Sequence, residues 1–270
     1  MEVSLILPIY KAESFLEQNL QEIDRCLSGR SESWELVLVV DGSPDQSYEV
    51  CQRFANQPRS YSVQVLLNEK NRGKGYTVKR GMLAAQGAYR IFTDCDLAYP
   101  MVEVLKVLDP LREGKDISVA SRGAEGSHYI FGIKHIRHIY MRHLISRVFN
   151  RLVNAFLPMN CKDTQAGLKG FRAQAAHFIF SQTRLEGFSF DVEVLHIAKK
   201  AGFTLEEVPI YFHFHPSTTM SVSGDGYKMF KDVLKVRRWI RQGCYELSQK
   251  NLETSFAFSE SSSASSSSSS

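Results

Sequence analysis

From residue 3 to residue 121 the chain alternates between two kinds of segment, and this alternation limits its folds more than any other feature. The runs "VSLILPIY", "WELVLVVD", "YSVQVLLN", "YRIFTD" and "DISVAS" are rich in β-branched and aromatic residues, as strands require. Between them, residues 14–27, 46–55, 75–85 and 101–111 carry apolar side chains at helical spacing. Near-continuous apolar strands separated by amphipathic helices predict an α/β fold: a mostly parallel, twisted sheet with helices on both faces. In such sheets ligands bind beyond the carboxyl ends of the strands. Asp41 of "VVDGSPD" and the pair Asp94 and Asp96 of "FTDCD" fall at that edge.

Composition narrows the function classes. A chain of 270 residues with 43% hydrophobic content builds one substantial core or two modest ones, and a net charge of +4 does not by itself call for nucleic acid. The five cysteines are scattered without a C-x-x-C, so reduced thiols in a cytosolic setting are expected, rather than a disulfide framework or zinc site. The opening "MEVSLILPIY" reads as a strand and not a signal peptide, and no window approaches the ~20 apolar residues of a membrane span. The Ser-rich end, residues 253–270, is expected to be a disordered tail.

Two phosphate-binding devices are missing. "GKGYTV" lacks the third glycine of the dinucleotide fingerprint, with Val78 in its place, and there is no G-x-x-x-x-G-K-[ST] loop. A divalent cation held by oxygen ligands is the remaining way to grip a diphosphate. Asp94 and Asp96, one residue apart at a strand end, suit that task if strand alternation keeps both on one face. The alternative is that each caps a turn or the helix beginning near Met101.

The segments "LILPIYKAE", "ELVLVVDGSPD", "NRGKGYTVKRGMLAAQG" and "FTDCD" occur in that order. Together they resemble the inverting, nucleotide-sugar-dependent glycosyltransferases of the GT-A fold, in the family of dolichyl- and polyprenyl-phosphate glucosyl- and mannosyltransferases. "VASRG", "RHLISRVFNRL", "DTQAGLKGF" and "GFSFDVEVLHIAKKAGFTLEEVPIYF" extend the resemblance over roughly residues 3 to 240. The resemblance implies a single catalytic domain over residues 1–245, with a Rossmann-like donor half to about residue 122 and an acceptor half from 123. It implies that Pro8, Tyr10, Glu13, Asp41, Lys74, Asp94 and Gln165 contact the nucleotide sugar. Asp94 and Asp96 are implied as the Mg²⁺ or Mn²⁺ motif, Asp96 as the direct ligand, and Arg122 as the arginine facing donor phosphates. In two places the chain departs from the pattern. Val40 stands where many relatives have a second acid, and Ala98 where some mannosyltransferases have a metal-binding glutamine. "DTQAGLKGF" and "NRGKG" are closer to the glucosyl version, so UDP-glucose is the favoured donor and GDP-mannose the alternative.

The acceptor is read from residues 126–162, which contain no Asp or Glu but carry Lys134, Arg137, Arg142, Arg147, Arg151 and Lys162 among apolar residues at helical spacing. A basic helix of this kind fits an anionic membrane surface or a solvated face better than nucleic acid, for which no motif is present. The resemblance assigns Arg142 and Ser146 to the phosphate of a polyprenyl or dolichyl acceptor, with Arg137 and Arg147 beside them. The expected protein sits peripherally on the cytoplasmic face of a membrane, alone or beside a membrane-protein partner. Two other classes stay open: a soluble transferase with a hydroxyl acceptor, which would need a base such as Asp191, and a non-catalytic sugar-nucleotide-binding subunit.

Overall fold

The computed structural model describes residues 1–130, 161–213 and 222–245. Strands β1 (Val3–Ile9), β2 (Trp34–Val40), β3 (Ser62–Leu67), β4 (Tyr89–Phe92) and β5 (Ile117–Ser121) alternate with helices α1 (Glu13–Leu27), α2 (Ser47–Ala55), α3 (Lys74–Ala84) and α4 (Met101–Arg112). After β6 (His128–Ile130) follow β7 (Lys169–Arg172), α5 (Ala173–Gln182), α6 (Phe190–Lys200), β8 (Leu205–Pro209), β9 (Tyr211–His213) and α7 (Val222–Arg241). Seven strands form one sheet in the order β3-β2-β1-β4-β7-β5-β8, while β6 and β9 pair separately. Every pairing in the large sheet is parallel except those of β7, which runs antiparallel to both β4 and β5.

The continuous apolar strands are buried because helices cover both faces of the sheet. Leu5, Leu7, Leu36, Leu38 and Val40 point to one core with α1, α2 and α4. Ile6, Val37 and Val39 point to the other with α3, α5 and α6. This is strand alternation with an apolar layer on each side. Val40 is therefore a core residue, as its departure from the acidic pattern implied. Helix α1 turns Leu16, Leu20, Ile23 and Leu27 inward, one side chain per turn. Helix α3 lies close on the sheet because Gly81 has no side chain: a Cβ there would stand 2.4 Å from Ile6 Cγ2.

This topology gathers the polar loops. The parallel strands β1, β2, β4 and β5 all end at one edge, and antiparallel β7 begins there. The loop containing Asp163 and Gln165 thus meets the loops after β4 and β5. Among the described residues no helix is long and apolar enough to cross a membrane.

Candidate active site

The loops after β1 and β2 lock each other. The Lys11 and Ala12 amides donate to Ser43 Oγ and Ser47 Oγ, at 2.8 and 3.0 Å. The Glu13 amide donates to Asp45 Oδ2 while Glu13 Oε2 accepts from the Gln46 amide, both at 3.1 Å. Each carboxylate thus satisfies a helix-terminal N–H of the other loop, and Glu13 serves α2 as a cap. Pro8 and Tyr10 are half-buried on this edge. Lys11 has φ 51° and Leu97 φ 52°, so a non-glycine residue in the left-handed region follows each of the adjacent strands β1 and β4. Such strain gathers where surrounding contacts fix a loop for a task.

Asp41 is 3% exposed. Its Oδ1 accepts from Asn68 Nδ2 at 2.7 Å and the Arg72 amide at 3.0 Å, and its Oδ2 from the Gly73 amide at 2.8 Å. The carboxylate, expected at the nucleoside, thus holds the "NRG" segment that leads into α3. Neither end of that segment can act as an anion-binding helix terminus. The α3 amides of Gly75 and Tyr76 donate to the Glu186 carbonyl at 2.8 and 3.2 Å.

The aspartate pair requires a correction. Strand β4 ends at Phe92, so Asp94 and Asp96 do not alternate on a strand. They sit in a tight turn, where the Leu97 amide donates to the Asp94 carbonyl at 3.3 Å and the Ala98 amide to Asp96 Oδ1 at 3.0 Å. The turn, not the pleat, brings the two carboxylates to one side. Of the capping alternative, the turn half holds for Asp96 and the helix half does not, since α4 is preceded by Pro100 without a side-chain cap.

Asp94 remains 33% exposed at its side chain and lies 2.5 Å from Lys74 Nζ, on the first turn of α3. Burial disfavours the charge on Lys74, but Asp94, Asp191 and Asp96 outweigh it and raise its pKa. Asp94 also rests against Gly167, where a Cβ would lie 2.1 Å from Asp94 Oδ2. The Gly167 amide donates to Tyr99 Oη at 3.2 Å. Among the described residues no three His, Cys, Asp or Glu side chains converge on one point. Asp94 and Asp96 offer a minimal oxygen set, suited to a hard cation that takes its other ligands from a diphosphate and water.

Arg122 grips Asp163 with both arms of its guanidinium, Nε to Oδ2 at 2.6 Å and Nη2 to Oδ1 at 2.9 Å. Burial works against the Asp163 charge, but Arg122 prevails and holds the carboxyl down to about 2. The Gln165 amide turns on the same carboxylate, at 3.3 Å. Arg122 is thus seated by the "DTQ" loop.

Asp191 and Lys169 form a buried pair. Lys169, 0% exposed, places Nζ 2.6 Å from Asp191 Oδ1 and 2.6 Å from the Ala166 carbonyl. Burial pushes the Asp191 pKa up against the pull of Lys169 and Lys74. Glu193 follows two residues later on the same helix. It is buried inside α6, where it accepts from the Arg184 and Leu185 amides. The Asp191–Lys169 contact, the Gly167 seat and the Glu186 cap had no local signal in the sequence. Arg137, Arg142, Ser146 and Arg147 lie outside the described residues.

The description "Glycosyl transferase family 2" belongs to the family model that matches residues 4–180. A curated dolichyl-phosphate beta-glucosyltransferase of Saccharomyces cerevisiae is 29% identical over 92% of this chain and 78% of its own. Its Dictyostelium discoideum counterpart is 26% identical over 87% and 73%. A dolichol-phosphate mannosyltransferase of Pyrococcus furiosus is 27% identical over 88% and 64%. Among solved structures, glucosyl-3-phosphoglycerate synthase from Mycobacterium tuberculosis, crystallised with Mn²⁺, UDP and glucosyl-3-phosphoglycerate, superposes with a TM-score of 0.63 at 18% identity. That match covers 87% of this chain and 79% of the other, and it fixes the architecture as GT-A. The aspartate turn at the edge of a GT-A sheet and the family match lead to one conclusion: the chain is a glycosyltransferase and belongs to glycosyl transferase family 2.

Proposed function

We propose that the enzyme transfers glucose from UDP-glucose, with inversion, onto the phosphate of a dolichyl or polyprenyl acceptor. The observation that carries the acceptor class is the buried Asp191–Lys169 pair. A hydroxyl acceptor needs a base to take its proton, and Asp191, the candidate for that role, is committed to a buried ammonium. A phosphate monoester already bears an anionic oxygen at neutral pH, so no base is required. Its oxygen forms a bond to the anomeric carbon as the bond from that carbon to the diphosphate oxygen breaks, and UDP carries away the electron pair. Lys74 and Arg122 flank the aspartate turn as fixed positive charge for the developing diphosphate. The loops after β1 and β2, with Pro8, Tyr10 and Glu13, form the nucleoside side, and Asp41 anchors the segment that leads into α3. Gln165 lies on the sugar side.

Asp94 and Asp96 would hold Mg²⁺ or Mn²⁺, which supplies charge neutralisation for the leaving diphosphate when bound. Arg142 and Ser146, flanked by Arg137 and Arg147, would take the acceptor phosphate. The acid-free run around them fits peripheral attachment to the cytoplasmic face of a membrane, directly or through a membrane-protein partner. The names of the dolichyl-phosphate beta-glucosyltransferase relatives support the glucosyl reading. The Pyrococcus furiosus relative keeps GDP-mannose as the second donor. The test offers radiolabelled UDP-glucose or GDP-mannose with Mn²⁺ or Mg²⁺ to a short polyprenyl phosphate and to the matching polyprenol. Label from UDP-glucose in the phosphate product alone is expected. Transfer to the alcohol overturns the acceptor, and preference for GDP-mannose overturns the donor.

A further inference from the structure

Helix α3 begins at Lys74, yet no side chain of its own segment caps it. The cap comes from the 183–187 loop, whose Glu186 carbonyl accepts from the Gly75 and Tyr76 amides at 2.8 and 3.2 Å. The contact has no slack. A Cβ on Gly73 would stand 2.5 Å from the Glu186 oxygen, and one on Gly75 would stand 2.5 Å from the Leu185 oxygen. The loop is itself held from below by Glu193, a fully buried carboxylate. Glu193 accepts from the Leu185 amide at 2.7 Å, from the Arg184 amide at 2.9 and 3.0 Å, and from Tyr245 Oη at 2.7 Å. Tyr245 lies just beyond α7 and is itself buried.

We propose that Glu193 and Tyr245 are positioning residues for Lys74: they fix the 183–187 loop, whose carbonyl sets the first turn of α3 and with it the ammonium that faces Asp94. The segment after α7 thereby tunes the donor site. The inference rests on the reading of Lys74 and Asp94 as donor-side groups, and the experiment separates the two.

UDP-glucose affinity is measured by calorimetry with Mn²⁺ for the parent, Lys74→Ala, Tyr245→Phe, Glu193→Gln and the double variant Lys74→Ala/Tyr245→Phe. Amide exchange at Gly75 and Tyr76 is followed in the ligand-free proteins. Tyr245→Phe should weaken binding about fivefold, and Glu193→Gln about tenfold, while both speed exchange at those two amides. In the Lys74→Ala background the Tyr245→Phe effect should shrink below about twofold, because the two act through one group. If Lys74→Ala leaves affinity unchanged, the donor reading falls and the inference with it. If Lys74→Ala weakens binding and the other two only lower the unfolding temperature, or if the double variant is additive, the link through the loop is overturned.

Discussion

Two aspartate-bearing loops leave the same sheet edge and treat their carboxylates in opposite ways. After β2, Asp41 is buried and accepts three hydrogen bonds from Asn68, Arg72 and Gly73. After β4, Asp94 keeps a third of its side chain in solvent and faces the ammonium of Lys74. A carboxylate that accepts three hydrogen bonds from side-chain and backbone donors is a fastener, because most of its lone pairs are spent within the protein. One balanced by a single ammonium can exchange that partner for another cation. Position at the carboxyl edge therefore does not distinguish scaffold from chemistry; the identity of the donors does.

The sharpest break of this contrast is Asp96→Asn. It keeps the Ala98 turn hydrogen bond but removes charge from the cation site, so transfer should fall by about a hundredfold or more with an unchanged unfolding temperature. EDTA should silence the parent to a similar degree. Retained activity in both assays removes the metal from the site. Next comes Gly167→Ala, whose new methyl would occupy the place of Asp94 Oδ2. It should lower the transfer rate by about tenfold, since a displaced ligand costs less than a missing one. A rate unchanged in that variant would show that Asp94 tolerates movement.

Asp41→Ala probes the other loop and should register as stability. Leaving the Arg72 and Gly73 amides without their acceptor costs about 2–3 kcal/mol in urea unfolding, with donor affinity weakened through the loop. Full stability with weakened affinity would return Asp41 to direct nucleoside contact.

The last contrast separates the Arg122–Asp163 pair from the interior of α6 by pH. His196 in α6 is buried with no partner for either ring nitrogen among the described residues, and burial, with Lys200 and Lys199 nearby, pushes it down to about 4. The unfolded chain binds this proton first, so the stability is complete above about 6.5 and is lost as pH falls toward 4, up to about 3 kcal/mol. Asp163 works the same way lower down: its contribution is complete above 3.8 and is lost only as pH falls to about 2. Within the upper window, from about 6.5 down to about 4, the Arg122–Asp163 pair should survive while global stability declines. His196→Phe should flatten the decline above pH 4 in thermal melts. A slope unaffected by that change refutes the assignment.

The first five strands and four helices were legible because long apolar runs and helical spacing carry their own signal; helix α2 begins at Ser47, one residue from expectation. Strand β7 was not. Its four residues, "KGFR", include a lysine that is buried only because Asp191 arrives 22 residues later. Asp94 and Asp96 were expected at the end of a strand, and that geometry was misjudged because strand β4 stops at Phe92. Contacts such as Gly75 with Glu186 join segments more than a hundred residues apart, and nothing local encodes them.

The antiparallel strand also sets an order of assembly. β4 and β5 never touch within the sheet, since β7 stands between them and β8 closes the outer side of β5. A nascent chain that has emerged only through residue 121 can therefore zip β1 to β4 together, while β5 has no strand to join. The central slot waits for residues 169–172, and the outer edge for 205–209. Until the ribosome has released that later stretch, the edge of β4 stays open as a template for wrong pairing, and the first four strands wait on the later chain to complete their sheet.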